Sequence, residues 1–364
     1  MKLSIPQIEP SFNNAEASAV YSYMQSGGWV MEFTKTAQFE EMIAKFTGAR
    51  YCVMTTSGTA SLILALLSLG LSRGDEVLMP DFTMIATPNS ATLLGIKPIL
   101  VDVEPRTLCF NLSYAQKKIT PKTKAMIYVP LNGRSGDMNK VVKFCQKHHL
   151  YLIEDAAQAF ASLWRDKHLG TFGQIGIFSF SVPKIITTGQ GGALVTDSKK
   201  LYQKIKRLKD FGRDKGGADI YNHWGWNFKF TDIQAVIGIE QLKKIKGRIK
   251  KKKGIYRLYQ KTLSDLKEIE FIPTDLTQTT PWFVDIYVSN PDRMMTYLSK
   301  QGIGSRRIYP PVSSQKIYRQ AFKKDKFPVS KKYASRGLWL PSSVKLTDTE
   351  IKTVTKAIHS YYYG

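Results

Sequence analysis

Over the first two thirds of the chain, short apolar runs rich in β-branched residues alternate with stretches whose apolar positions recur every three or four residues. Such alternation predicts strands and helices in turn, folded as a parallel sheet with helices on its faces. Strands are expected over 52–55, 76–79, 97–102, 125–129 and 151–154, with a helix over 59–69 after the first of them. Two more, over 175–179 and 192–196, flank a glycine-rich connection. Ile233, Val236, Ile237, Ile239 and Leu242 have helical spacing and run into a lysine-rich stretch. The texture changes near residue 250. Beyond it, Phe271 and segments 282–288 and 294–302 suggest a small α+β unit closed by a helix over 347–362. The expected organisation is a large α/β domain over 1–250 and a smaller C-terminal α+β domain over 251–364. No internal repeat or low-complexity segment interrupts it.

Composition adds little to that picture, and charge adds more. A chain of 364 residues with 43% hydrophobic positions has ordinary globular composition. Residues 1–10 lack the apolar core of a signal peptide, and no run approaches the roughly 18 apolar residues of a membrane span. Cys52, Cys109 and Cys145 lie far apart, match no metal-ligand spacing and suit a reducing cytoplasm, so no metal is expected. The net charge of +24 is unusual. Its densest run comprises Lys243, Lys244, Lys246, Arg248 and Lys250 to Lys253, which reads as a solvated helix end or as an aid to binding an anionic nucleotide ligand. No nucleic-acid-binding motif accompanies it.

Three segments carry candidate chemistry. In Tyr151-Leu-Ile-Glu-Asp155-Ala-Ala-Gln158 a buried strand ends in a carboxylate, at the sheet edge where open α/β folds place ligands. Asp155 there can keep a pyridine nitrogen protonated, or simply cap the following helix. In Ser179-Phe-Ser-Val-Pro-Lys184-Ile-Ile-Thr187-Thr188-Gly189, the lysine sits among apolar residues and glycines. Burial would lower its pKa and supply the neutral amine that Schiff-base chemistry needs, while an ordinary loop lysine is the alternative. Thr55-Thr-Ser57-Gly58-Thr59 opens an apolar helix, and its free amides suit a phosphate, although such turns cap many helices. Phe82 follows a strand and is either a core residue or an aromatic for stacking on a ring.

Taken in order, these segments resemble the DegT/DnrJ/EryC1/StrS family of pyridoxal-phosphate (PLP) aminotransferases. The resemblance extends through Gly27-Gly28-Trp29, Gly74-Asp75-Glu76-Val77, Gly225-Trp-Asn227-Phe-Lys-Phe-Thr-Asp232, Gly302-Ile-Gly-Ser-Arg306 and Leu338-Trp-Leu340-Pro341. It implies an aspartate-aminotransferase-like (fold-type I) α/β architecture, with a mixed, mostly parallel sheet flanked by helices. It also implies that Lys184 carries PLP as a Schiff base and moves protons, that Asp155 pairs with the pyridinium, and that Gln158 lies beside the ring hydroxyl. Phe82 would stack on the ring, and Gly58, Thr59 and Ser179 would hold the phosphate. Asn227 would reach the partner's phosphate across a homodimer with shared active sites.

The chain departs from the family pattern at Gln190, Lys229, Arg134 and Ser313, the last standing where relatives have a histidine. Arg134, Arg306, Arg307 and Ser313 are the expected substrate contacts. The resemblance implies glutamate as donor and a nucleoside-diphosphate 4-keto-6-deoxyhexose as acceptor, because Thr187-Thr188-Gly189 is similar to the stretch found in C4-acting members. A 3-keto sugar nucleotide or keto-inositol is the alternative acceptor. Lys184 disfavours the family's histidine-bearing dehydratase variant. A non-catalytic basic binding protein on the same fold is the alternative of another class, and the intact Asp155, Lys184 and Asn227 set argues against it.

Overall fold

The computed structural model describes residues 4–214 and 219–364. In chain order its strands are β1 (Tyr51–Thr55), β2 (Glu76–Pro80), β3 (Lys97–Val101), β4 (Thr123–Tyr128), β5 (Tyr151–Asp155), β6 (Leu163–Trp164), β7 (Lys167–His168), β8 (Ile175–Ser179), β9 (Gly192–Thr196), β10 (Val284–Tyr287), β11 (Arg306–Arg307) and β12 (Gly337–Leu340). Seven of them form one sheet in the order β1-β9-β8-β5-β4-β2-β3. The pairs β2–β3, β2–β4, β4–β5 and β5–β8 are parallel. Strand β9 alone runs against its neighbours β1 and β8. A parallel return needs a crossover of a dozen or more residues, usually helical; residues 180–191 form no helix and lead straight back along β8. That return loop carries Lys184, so one connection both reverses the chain and presents the lysine.

The sheet is buried on both faces, as its near-continuous apolar strands require. The helix Gly58–Ser68 lies against β8 and β9 with Leu62, Leu64, Ala65 and Leu66 buried, and the Ser57 hydroxyl caps it by accepting from the Ala60 amide. Strands β1, β2, β5 and β8 all end at the same edge, so Ser57, Asp81, Asp155 and Ser179 gather there.

A second, three-stranded antiparallel sheet in the order β10-β12-β11 packs on the helices Ile245–Thr262 and Asp348–Tyr363 around its own apolar core. Ile5 bridges to Ile303, which brings the start of the chain into this unit. Residue 250 falls inside the helix Ile245–Thr262, whose Ile255, Tyr256 and Tyr259 are buried. The lysine-rich run therefore spans the end of the helix Asp232–Lys243 and the first half of this one, and Arg248 and Lys252 within it turn inward. The three cysteines are buried and unpaired. Among the described residues no helix is long and apolar enough to cross a membrane.

Candidate active site

Alternation along β5 separates two acids with different work. Glu154, fully buried, accepts from the amides of Gly170 (2.7 Å), Phe172 (2.6 Å) and Gly173 (2.8 Å), fastening that loop beneath the sheet. Asp155 points the other way and accepts from the Thr87 hydroxyl at 2.7 Å and, at 3.3 Å, from the Ala157 amide. Burial raises its pKa, while Thr87 and the charge of Lys184 pull it back.

Lys184 lies close enough to feel that carboxylate. Burial is the largest influence on its amine, Asp155 opposes it, and the Arg306 charge adds to it; together they push the pKa down to about 8. The Nζ atom sits 3.9 Å from the centroid of the Trp282 ring, and the Trp282 indole N–H donates to the Pro183 carbonyl at 2.7 Å. Gln158 is held by the Asn132 amide, which donates to its Oε1 at 2.9 Å, and its own amide donates to the Tyr309 hydroxyl at 3.4 Å.

At the other end of the β8–β9 loop, the Gly58 and Thr59 amides at the head of the helix have no acceptor among the backbone hydrogen bonds. A side chain on Gly58 would meet Ser179, with the serine Cβ only 3.1 Å from the added carbon. Gly192 is as tightly placed, since a Cβ there would lie 2.4 Å from the Ser57 backbone. Ser179 and Ser181 hydroxyls, 3.3 Å apart, complete a group of small donors around the helix end whose chemistry suits a phosphate.

A cleft of about 700 Å³ has Met84, Arg306, Tyr309, Pro310, Pro311 and Trp339 in its wall, and it is tied to this cluster by the Arg306 charge felt at Lys184 and by the Gln158–Tyr309 hydrogen bond. Arg306 is exposed, lies 4.7 Å from the Trp339 ring and makes no ion pair with a described residue. The donor set fits PLP: an amine of lowered pKa, a buried carboxylate for a ring nitrogen, and unfilled amides with hydroxyls for a phosphate.

Several expectations need correction. Arg134 is buried and makes a bidentate pair with Asp285, at 3.0 and 2.7 Å, and its Nε donates to the Thr107 carbonyl; its donors are spent inside the protein. Arg307 is likewise committed, to Asp292 at 2.7 Å and to the carbonyls of Ala334 and Ser335. Ser313 gives its amide and hydroxyl to Asp81, at 2.7 and 3.0 Å, which ties the cleft's rim to the end of β2. Phe82 is 0% exposed and offers no face to a ring; Met84, two residues on, is the side chain of that turn that reaches the cleft. Thr187 and Thr188 are buried and shape their loop by hydrogen bonds to the Phe180 and Gln190 carbonyls.

Asn227 is exposed and bridges to Asp210, apart from the Lys184 cluster. Sequence reasoning missed Thr87, Trp282 and Tyr309. Tyr309 had a signal, since it stands two residues after Arg307, next to residues already singled out. Thr87 and Trp282 had none, because each is defined by a partner from a distant segment.

The DegT/DnrJ/EryC1/StrS aminotransferase family model matches residues 10–359. The GDP-perosamine synthase of Vibrio cholerae is 32% identical over 364 residues, covering 98% of this chain and 99% of that protein. Among solved structures, the aminotransferase TlmJ from Streptoalloteichus hindustanus superposes with a TM-score of 0.92 at 26% identity, covering 98% of each chain. DesI, solved in the presence of its TDP-sugar product, gives a TM-score of 0.89 at 26% identity over 99% of this chain and 92% of its own. With that fold, and with these residues gathered at the sheet edge, the chain belongs to the DegT/DnrJ/EryC1/StrS aminotransferase family and is a PLP-dependent aminotransferase.

Proposed function

We propose that the enzyme moves the amino group of glutamate to C4 of a nucleoside-diphosphate 4-keto-6-deoxyhexose, as a perosamine-synthase-like step in amino-sugar and polysaccharide biosynthesis. The observation that carries the chemistry is a half-buried lysine of lowered pKa within reach of the charge of Asp155, a buried carboxylate at the end of a parallel sheet. The acceptor is inferred from the perosamine synthase relative and from DesI with its TDP-sugar product. PLP, when bound, supplies the electron sink that makes a carbon–hydrogen bond beside nitrogen labile.

Lys184 would carry the cofactor and, once freed by substrate, use Nζ as the base that takes a proton from the α-carbon of glutamate. In the second half it returns a proton to C4 of the sugar. A pKa near 8 leaves part of the amine neutral at neutral pH, which both duties require. Asp155 holds the proton of the ring nitrogen, with Thr87 fixing the carboxylate and Gln158 set beside the ring hydroxyl. Gly58, Thr59 and Ser179 take the phosphate. Arg306 is the remaining candidate for the diphosphate of the acceptor, since guanidinium suits phosphate oxygens and this one is unpaired.

A homodimer with shared sites belongs to the same reading. Asn227 stands in a region where Trp29, Val30, Met31, Phe33, Ile220, Tyr221, Trp224 and Trp226 are all exposed, more apolar surface than a monomer commonly shows. Residues 1–250 would supply the cofactor site and residues 251–364 the far wall of the cleft. Borohydride treatment should fix a pyridoxyl group on Lys184 and nowhere else. A panel of GDP-, UDP- and dTDP-linked 4-keto sugars with glutamate should give a C4 amine by NMR; a faster reaction with keto-inositol would overturn the acceptor class. Mixing Lys184→Ala with Asn227→Ala chains should restore part of the activity if Asn227 acts across the interface.

A further inference from the structure

The helix Ile245–Thr262 contains no Asp or Glu, yet two of its cations are buried, Arg248 and Lys252, one turn apart. Burying a charge is costly unless it is paired or hydrogen-bonded, and neither residue has an ion pair with a described carboxylate. Both instead donate to backbone carbonyls. Arg248 reaches Ile185 O at 2.7 Å and Ser11 O at 2.9 Å. Lys252 reaches Ser342 O at 2.7 Å and also Trp282 O. Burial pushes its pKa down to about 7.

Those carbonyls are not scattered. Ile185 O belongs to the residue directly after Lys184. Trp282 and Ser342 lie at the adjoining ends of β10 and β12, a junction fastened further by the Val284 amide donating to the Ser342 hydroxyl at 2.8 Å. From that junction the Trp282 indole donates to Pro183 O, the residue directly before Lys184, and turns its ring face to the Lys184 amine. One helix face therefore grips the peptide on both sides of the lysine, directly through Arg248 and through Trp282 by way of Lys252. Arg248, Lys252, Pro183 and Lys184 all border one cavity of about 20 Å³, room for a single water, so the assembly has little slack.

We propose that Arg248 and Lys252 are positioning residues that fix the Lys184 loop, and that the Trp282 face is where the Lys184 amine rests whenever it is free of cofactor. A cation over an indole is favoured over the neutral amine, so the ring moderates the loss of charge that burial and Arg306 impose. Asp155, from the opposite wall, acts in the same direction, and the Tyr309 hydroxyl nearby stays protonated. This rests on Lys184 being the cofactor lysine, and the two ideas can fail separately.

The test uses PLP-free protein and measures the Lys184 amine by pH-dependent reductive methylation, read by mass spectrometry of its peptide. In the wild type the half-point should lie near 8. Lys252→Met should lower it by roughly half a unit to one unit as the indole loses its anchor, and Lys252→Arg should retain the wild-type value. If Lys252→Met fails to fold, Trp282→Phe keeps the packing and should lower the half-point in the same direction. A rise in Lys252→Met would mean that Lys252 acts by charge repulsion, and no change in either variant would mean that the ring is only packing; each overturns the proposal. Borohydride labelling of Lys184 in reconstituted Lys252→Met would still succeed, so a failed positioning result leaves the cofactor assignment standing.

Discussion

Lys209 is fully buried and Lys184 half-buried, and the protein treats the two lysines in opposite ways. Lys209 ends the helix Lys199–Lys209 with its Nζ 2.9 Å from Glu32, 3.6 Å from Glu40 and 3.0 Å from the Met54 carbonyl. Burial works against its charge, but two carboxylates outweigh burial and its pKa is raised. Lys184 has one carboxylate, which itself is protonated more readily than usual, and a neighbouring arginine; burial prevails and its pKa falls. Burial alone does not make a reactive amine. What differs is whether enough opposite charge is buried with it. Lys209 is a strut, whereas Lys184 keeps an amine that loses its proton more readily than an ordinary lysine.

Removing each group should separate these roles. The largest effect is expected for Lys184→Ala, which should lose at least the 10²–10⁴-fold in kcat that positioned proton transfer contributes, with little change in melting temperature. Turnover close to wild type would place the chemistry elsewhere. Asp155→Asn should cost roughly 10²–10³-fold in turnover while the protein still binds PLP, as read from its absorbance. Lys209→Met should reverse the pattern, leaving the half-buried Glu40 without its cation at a cost of about 3 kcal/mol, measured by urea unfolding, before any loss at the active site.

The smallest effect is one of sign, in PLP-free protein. Lys184 has a folded pKa below its ordinary value of 10.5, so its penalty is fully present below about pH 8 and fades as pH climbs toward 10.5. Lys184→Met should therefore be more stable than wild type at pH 7, with the gain shrinking above pH 8. Lys209 has a raised pKa, so its contribution is full below the ordinary lysine value and is lost only at higher pH. Parallel pH profiles for the two methionine variants would show that the contrast between the pockets is not real.

The sequence made the sheet strands readable because each is a short apolar run between turns, and the placement of Asp155, Lys184 and the Ser57 turn followed from where those strands end. What it concealed is long-range pairing. Arg134 looked available because its partner, Asp285, is 151 residues away. Lys209 closes the cation-rich stretch Lys206-Arg207-Leu208-Lys209, yet it stands one turn after the buried Ile205, on the inward face. Phe82 and Met84 show a finer limit. At a strand end the choice between inward and outward depends on backbone geometry, and the larger aromatic took the core.

The distribution of the six tryptophans has an optical consequence. Trp29, Trp224 and Trp226 are 61%, 87% and 43% exposed, while Trp282 and Trp339 are 6% and 2% exposed beside the cleft. Emission from the first group should be red-shifted and easily quenched by acrylamide in an isolated chain, and should turn blue if a second copy covers it. The second group stands beside Lys184 and Arg306, so its emission should respond to ligand at the cleft. A single spectrum recorded against protein concentration, and again against substrate, would thus report assembly and occupancy through separate sets of indoles without any attached label.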